Sequence, residues 1–252
     1  MTLRSPLRYA MAFMVLLLTA WHANAAEHAS PEALFQAGTL AYKSAEYNAA
    51  ASAFRDSARA RPASGTFQNL GLAEWQRGQP GLAILAWEQS LWLDSFNSAS
   101  HANLRFARKA AQLETPELTW YEVVSTWLPM NWWAWIGIGG FWIAVAATFL
   151  PGILRTRKRG WYQAVAAASL TLLLLSIPAA FGVQSRSRLG FVLQKDCPLQ
   201  LTPTADAQVV TRLSAGDPVR LRRSHGSFFL IRTSRTSGWV NRDQLGFISQ
   251  KL

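Results

Sequence analysis

"WWAWIGIGGFWIAVAATFLPGILRTRKRGWYQAVAAASLTLLLLSIPAAFGV", residues 132–183, consists of two uncharged apolar runs separated by a basic knot. The first run, Trp132 to Leu154, and the second, Trp161 to Val183, are each long enough to cross a hydrocarbon core of about 30 Å as a helix. Pro178 falls near the end of the second run, where a kink is tolerable in lipid. Two antiparallel transmembrane helices are expected, at 131–154 and 161–183, joined by a short basic loop at 155–160. Trp120, Trp127, Trp132, Trp133 and Trp135 crowd the entry to the first span. Their amphipathic rings suit the headgroup layer.

The charge pattern then orients the hairpin. Arg155, Arg157, Lys158 and Arg159 lie in the connection, whereas Glu114, Glu117 and Glu122 precede the first span. Positive charge in short loops marks the cytoplasmic side. Arg186 and Arg188, after the second span, pull the other way but are outnumbered. The basic tip is therefore expected inside, and both polar flanks on the opposite face. That topology accounts for the basic tip without a lipid or nucleic-acid site.

The start of the chain agrees with export. Arg4 and Arg8 precede the run "YAMAFMVLLLTAW", followed by Ala23-Asn24-Ala25. A charged start, a short apolar middle and small residues two apart describe a secretory signal peptide at 1–25; an uncleaved signal anchor is the alternative. Composition fits a membrane protein: of 252 residues half are hydrophobic and twelve are Trp, with a net charge of +11. The periplasmic face of a bacterial inner membrane is the expected location of both polar parts.

The first of these, 26–114, repeats itself. "LFQAGTLAYKSAEYNAAASAFRDSARARP" aligns with "FQNLGLAEWQRGQPGLAILAWEQSLWLDS", placing Gly38 over Gly71, Tyr42 over Trp75, Ala50 over Ala83 and Phe54 over Trp87 at a period of 33 to 34 residues. Each unit has two apolar helical stretches with a break, at Ala45-Glu46 and at Gly78-Gln79-Pro80. The glycines and alanines let paired helices approach, and Phe54 and Trp87 fill the gap towards the neighbouring repeat. A third segment, "SASHANLRFARKAAQL", becomes basic and suits a solvated capping helix. A Trp-rich linker, 115–130, follows.

This pattern resembles the tetratricopeptide repeat. Leu70-Gly71, Ala83 and Pro62 match its consensus; Ala37, Ser57, Ser90 and Ser95 depart from it. The resemblance implies a concave groove lined by the first helix of each unit. Helical counting puts Phe35, Thr39, Tyr42, Gln68, Leu72, Trp75, Phe106 and Lys109 there, a largely apolar surface for a partner's helix or extended peptide. In the other reading the same aromatics complete packing between repeats or rest on the linker. Phe35 and Thr39 occupy positions where some relatives clamp a terminal carboxylate, so that mode is not expected.

The last part, 184–252, is built of short alternating segments such as "VVTRL", "PVRLRR", "FFLIRT" and "GWVN", divided by Gly, Pro, Asp and Ser. A small all-β barrel is expected. Gly216 and Gly238-Trp239-Val240 give it a resemblance to the bacterial SH3-like domain, with Phe228 where that family often has Trp. With Trp239 alone and no Tyr, poly-Pro recognition is not expected. A surface of Arg222, Arg223, Phe228 and Trp239 is the candidate contact, for peptidoglycan or an acidic partner. The alternative is a barrel that docks on its own repeats or on a partner.

No catalytic, cofactor or metal constellation is legible. His residues are isolated and Cys197 is the single cysteine, so metal spacing and an intramolecular disulfide are both excluded. Cys197 is expected to be a buried small residue, the alternative being a redox or intermolecular role. Ser224-His225 lacks an orienting acid and there is no phosphate loop. The compartment excludes nucleic acid.

In its order of parts the chain resembles the BatE-like family of the Bacteroides-type aerotolerance operon. "NLGLAEWQRGQPGLAILAWEQSLWLD", "NLRFARK", "WLPMNWWAW" and "GWVNRDQL" carry the resemblance. It implies a non-enzymatic membrane adaptor that meets von Willebrand factor A-type membrane proteins and, through them, a MoxR-like ATPase, in envelope or oxidative-stress tolerance. A peptidoglycan-binding membrane protein is the alternative function.

Overall fold

The computed structural model describes residues 30–153, 160–204 and 206–249. The expected signal peptide and the four basic residues of the hairpin tip lie outside these. Among the described residues, five helices form a stack: α1 (Pro31–Lys43), α2 (Tyr47–Ala60), α3 (Ser64–Gln76), α4 (Pro80–Leu93) and α5 (Ser98–Ala111). A short α6 (Trp120–Ser125) occupies the linker, and α7 (Met130–Ile153) and α8 (Gly160–Arg186) form the long hairpin. Seven strands follow: β1 (Leu189–Val192), β2 (Cys197–Gln200), β3 (Val209–Leu213), β4 (Pro218–His225), β5 (Phe228–Arg232), β6 (Ser237–Asn241) and β7 (Leu245–Phe247). The architecture is thus a set of helical repeats, two helices of membrane length and an all-β domain.

The repeat is built from local signals. Ser30 accepts from the Ala33 N–H (3.1 Å) and Pro31 opens α1, both ordinary features of a helix start. Both helix pairs turn at a residue with positive φ, Ala45 (60°) and Gly78 (71°), one period apart. Gly38 and Gly71 set the separation within each pair. A Cβ on Gly38 would come within 2.8 Å of the Phe54 ring, and one on Gly71 would strike the Trp87 indole, whose Nε1 donates to the Gln68 carbonyl (3.2 Å). Two of the serines that depart from the repeat consensus, Ser57 and Ser90, are equally placed. Ser57 donates to the Pro31 carbonyl (2.7 Å), and Ser90 lies 2.9 Å from the Ser64 hydroxyl and accepts from Ser100 (2.8 Å). Each ties the two ends of its own unit together, which Ala cannot do.

Both long helices are apolar enough to cross a membrane by length and composition, and most of their surface faces outward. They run as expected, except that α8 continues to Arg186, past the expected end at 183. Where they cross, Gly140 leaves only 3.0 Å between its would-be Cβ and the Ser169 carbonyl. Small residues at a helix crossing let the two backbones approach closely.

The sheet is antiparallel in every pairing, in the order β3-β2-β6-β5-β4-β1-β7. All seven strands feed one core, with Val192, Leu199, Leu213, Val219, Ile231, Val240 and Leu245 in contact, so the sheet folds over on itself. A second cluster joins this domain to the repeats. Ile84, Trp87, Leu91 and Trp92 of α4 pack with Leu189, Phe191 and Ile248. Gly81 lies against the carbonyls of Val192 and Leu193, and Gln89 donates to the Phe247 carbonyl (3.1 Å). The β domain is therefore docked on its own repeats, as one of the two sequence readings had it.

Candidate functional site

The eight residues predicted to line a groove do not share one environment. Phe35 and Tyr42 are half-buried and join the core between the first two helix pairs; Phe35 meets the Phe54 ring at 5.6 Å and Tyr42 meets Tyr47 at 5.5 Å. Leu72 and Trp75 pack on the second cluster, with Trp75 wedged between Trp87 (6.0 Å) and Phe106 (5.7 Å). Thr39 donates back to the Phe35 carbonyl (3.0 Å), and Gln68 accepts from Asn97 (3.1 Å). Phe106 (62% exposed) and Lys109 remain open to solvent. Much of the predicted lining is thus shared with packing between helices, and the free apolar surface narrows to Phe106 and its neighbourhood.

The register gathers the predicted β-domain residues more closely. Arg223, Leu230 and Trp239 are consecutive partners across β4, β5 and β6, and His225, Phe228 and Asn241 form the next row. Because side chains alternate across a strand, both rows occupy the face away from the buried Phe229, Ile231 and Val240. Phe228 and Trp239 are half-buried there, with the His225 ring edge-on to Trp239 at 6.2 Å. Arg222 sits at a bulge beside this face and is exposed.

The most heavily built polar site was not picked out from sequence. Glu122, on α6, is fully buried. Its carboxylate accepts from Arg220 Nη1 (2.6 Å) and Nη2 (2.8 Å) on β4, from the Ser185 hydroxyl on α8 (2.6 Å), and from the Thr119 N–H (2.8 Å). Arg220 also donates to the Glu117 carbonyl (2.7 Å). Beside it, Arg186 lies over the Trp92 ring at 5.3 Å and donates to the Ser125 hydroxyl (3.4 Å), with Glu88 and Glu122 acting on its charge. Glu88 in turn holds Arg108 of α5. The repeats, linker, last membrane-length helix and sheet meet in this one network.

Its electrostatics favour a fixed strut. Burial alone pushes the Glu122 carboxyl up, but donors from Arg220, Ser185 and Thr119, together with the Arg220 charge, outweigh it and hold the group at about 2. The same pair raises the Arg220 guanidinium above its ordinary value. A carboxylate so held stays ionised at neutral pH and does not exchange protons there. Cys197 is buried, donates to Gln244 Oε1 (3.4 Å), and its thiol is pushed up to about 11 by burial, in keeping with a packing residue. Among the described residues no group of three His, Cys, Asp or Glu is placed to hold a metal.

Sequence offered only a faint signal for the junction. Glu122 stood as one of three acids before the first span and Arg186 as a counter-charge to the hairpin tip. The Thr119-to-Glu122 spacing is a capping-box signature, which points to a helix start and not to the partner 98 residues away on β4. The fold and junction define a class: a two-helix membrane-length hairpin whose flanking repeats and β domain are fastened to each other. No family model, curated protein or solved structure matches the chain.

Proposed function

We propose that the protein is a non-enzymatic, membrane-anchored adaptor, with its repeats and β domain together forming one protein-binding body on the periplasmic side of a bacterial inner membrane. The observation that carries this reading is the docking of the β domain on α4 through Ile84, Trp87, Phe191 and Ile248. Two flanks buried against each other must lie on the same side of the bilayer that α7 and α8 cross. The tetratricopeptide-like repeats then serve as the partner-binding element and the SH3-like domain as their buttress. Phe106 and Lys109, exposed at the open end of the stack, are the residues a partner would meet. The resemblance to the BatE-like family makes a von Willebrand factor A-type membrane protein the first partner to test, with a MoxR-like ATPase reached through it.

A photoreactive residue at Phe106 tests this in cells. Capture of a von Willebrand factor A-type protein, lost on Lys109→Glu, supports the adaptor; capture of only the protein's own segments refutes it.

A second reading follows from the row Arg223, Leu230, Trp239 beside Phe228. A half-buried aromatic surface edged by arginine suits a cell-wall peptide or sugar polymer. Retention of the full chain on purified peptidoglycan, abolished by Trp239→Ala and preserved in Arg222→Glu with Arg223→Glu, would favour this reading over charge attraction.

A further inference from the structure

Two clefts meet at the lower edge of the junction. One, about 490 Å³, lies between the linker and the sheet and is lined by Arg188, Arg222 and Arg232 among others. The other runs along the end of α8 over Trp120, Pro178 and Phe181. They share Tyr121, Ser185 and Arg188, so a basic basin opens directly into an apolar channel.

The charges in the basin are not used up internally. Arg220 is committed to Glu122, and Arg235 to Glu114. Arg188, Arg222 and Arg232 are exposed, and among the described residues none has an ion pair; the remaining acid on the wall is Glu117. Backbone pairing holds the three together. The Leu221 N–H donates to the Arg188 carbonyl (3.0 Å), which sets Arg188 against the residue that precedes Arg222, Arg232 lies opposite Arg220 on the next strand, and all three arginines line the one cleft. The channel side is equally open: Phe181, on a helix apolar enough to cross a membrane, and Trp120, which opens α6 with its ring edge-on to Tyr121 (5.6 Å), are each 68% exposed.

An anion attached to an acyl chain satisfies both halves. We infer that the junction binds an anionic phospholipid, its phosphate on Arg188, Arg222 and Arg232 and its chain along Phe181 and Pro178. Guanidinium groups match phosphate oxygens in pairs, and Trp and Tyr belong at headgroup depth. Such a lipid would bridge the last membrane helix to the β domain next to the Glu122 strut. The inference rests on reading α7 and α8 as membrane spans.

The test uses the full chain purified in detergent, titrated with phosphatidylglycerol or phosphatidylcholine of identical chains and read by native mass spectrometry. Phosphatidylglycerol is expected to bind at least tenfold more tightly, and each arginine changed to Gln to weaken it about fivefold. The triple change Arg188→Gln, Arg222→Gln, Arg232→Gln should abolish the preference. All three side chains are exposed, so the fold does not depend on them. Phe181→Ser should weaken phosphatidylglycerol severalfold. Equal retention of the two lipids, a preference that survives the triple change, or complete displacement by millimolar inorganic phosphate would each overturn the inference, the last by showing a site for free phosphate. The spanning itself is checked by alkaline washing of membranes. A chain that stays in the pellet yet shows no lipid preference refutes this site and leaves the hairpin standing.

Discussion

Replacing Glu122 by Gln should loosen the joint between linker, α8 and sheet without unfolding any of them. The carboxylate is fully buried and receives four hydrogen bonds, two of them from Arg220. Gln keeps the size but removes the charge and turns an NH2 towards a cluster of donors. Deleting one partner of a buried pair costs about 3–5 kcal/mol. Arg220 retains 26% side-chain exposure and can turn to water, which lowers the expected loss to about 2–3 kcal/mol.

The pH dependence should agree. A group held at about 2 against an ordinary 4.5 stabilises the folded joint above about pH 4.5. That contribution is lost as pH falls from about 4.5 to about 2, because the carboxyl in the open state takes up a proton first. Hydrogen exchange of linker and β4 amides in the full chain is the assay. At pH 7, 2–3 kcal/mol corresponds to about thirtyfold to a hundred-and-fiftyfold faster exchange through joint opening. The repeats and the rest of the sheet should change little. Exchange within about threefold of the unaltered protein, or equal acceleration everywhere, would refute the strut.

Gly71→Ala should lower the stability read from urea unfolding by about 1–3 kcal/mol, since the added methyl meets the Trp87 indole. Gly65→Ala, in the same helix with open space at its Cβ, should be neutral or stabilising by up to about 1 kcal/mol, and loss at both sites would refute the close-approach account. Ala45→Gly should raise the melting temperature, because relief of a left-handed Ala at φ 60° exceeds the added freedom of the open chain by about 0.5–1 kcal/mol; a fall would show the turn to be unstrained. Cys197, buried with its thiol pushed up to about 11, should resist alkylation at pH 8 until denaturant is added, and rapid labelling of the native chain would place it at an open surface.

Sequence by itself determined the features whose physics is local. Hydropathy accumulates over a contiguous window, so both long helices were legible from 132–183, with ends displaced by up to three residues. Helix pairing was legible too, because Gly38 and Gly71 recur at one period, but Phe54 and Trp87, expected to fill the gap towards the neighbouring repeat, pack against these glycines within their own units. Alternation marked the strands, and the register then placed Arg223 and Trp239 in one row. The spacing of the groove aromatics was equally visible, but which of them face solvent was not. Leu72 and Phe106 stand at equivalent positions one period apart, yet Leu72 packs on the second cluster while Phe106 lies open.

Tertiary structure alone decided the docking of sheet on repeats and the fate of Glu122, Arg186 and Arg220. An acid in a linker and an arginine on a strand carry no shared periodicity across 98 residues. Only when α4, α6, α8 and β4 converge does burial remove water from them, and it is the loss of water that turns scattered charges into a fastening.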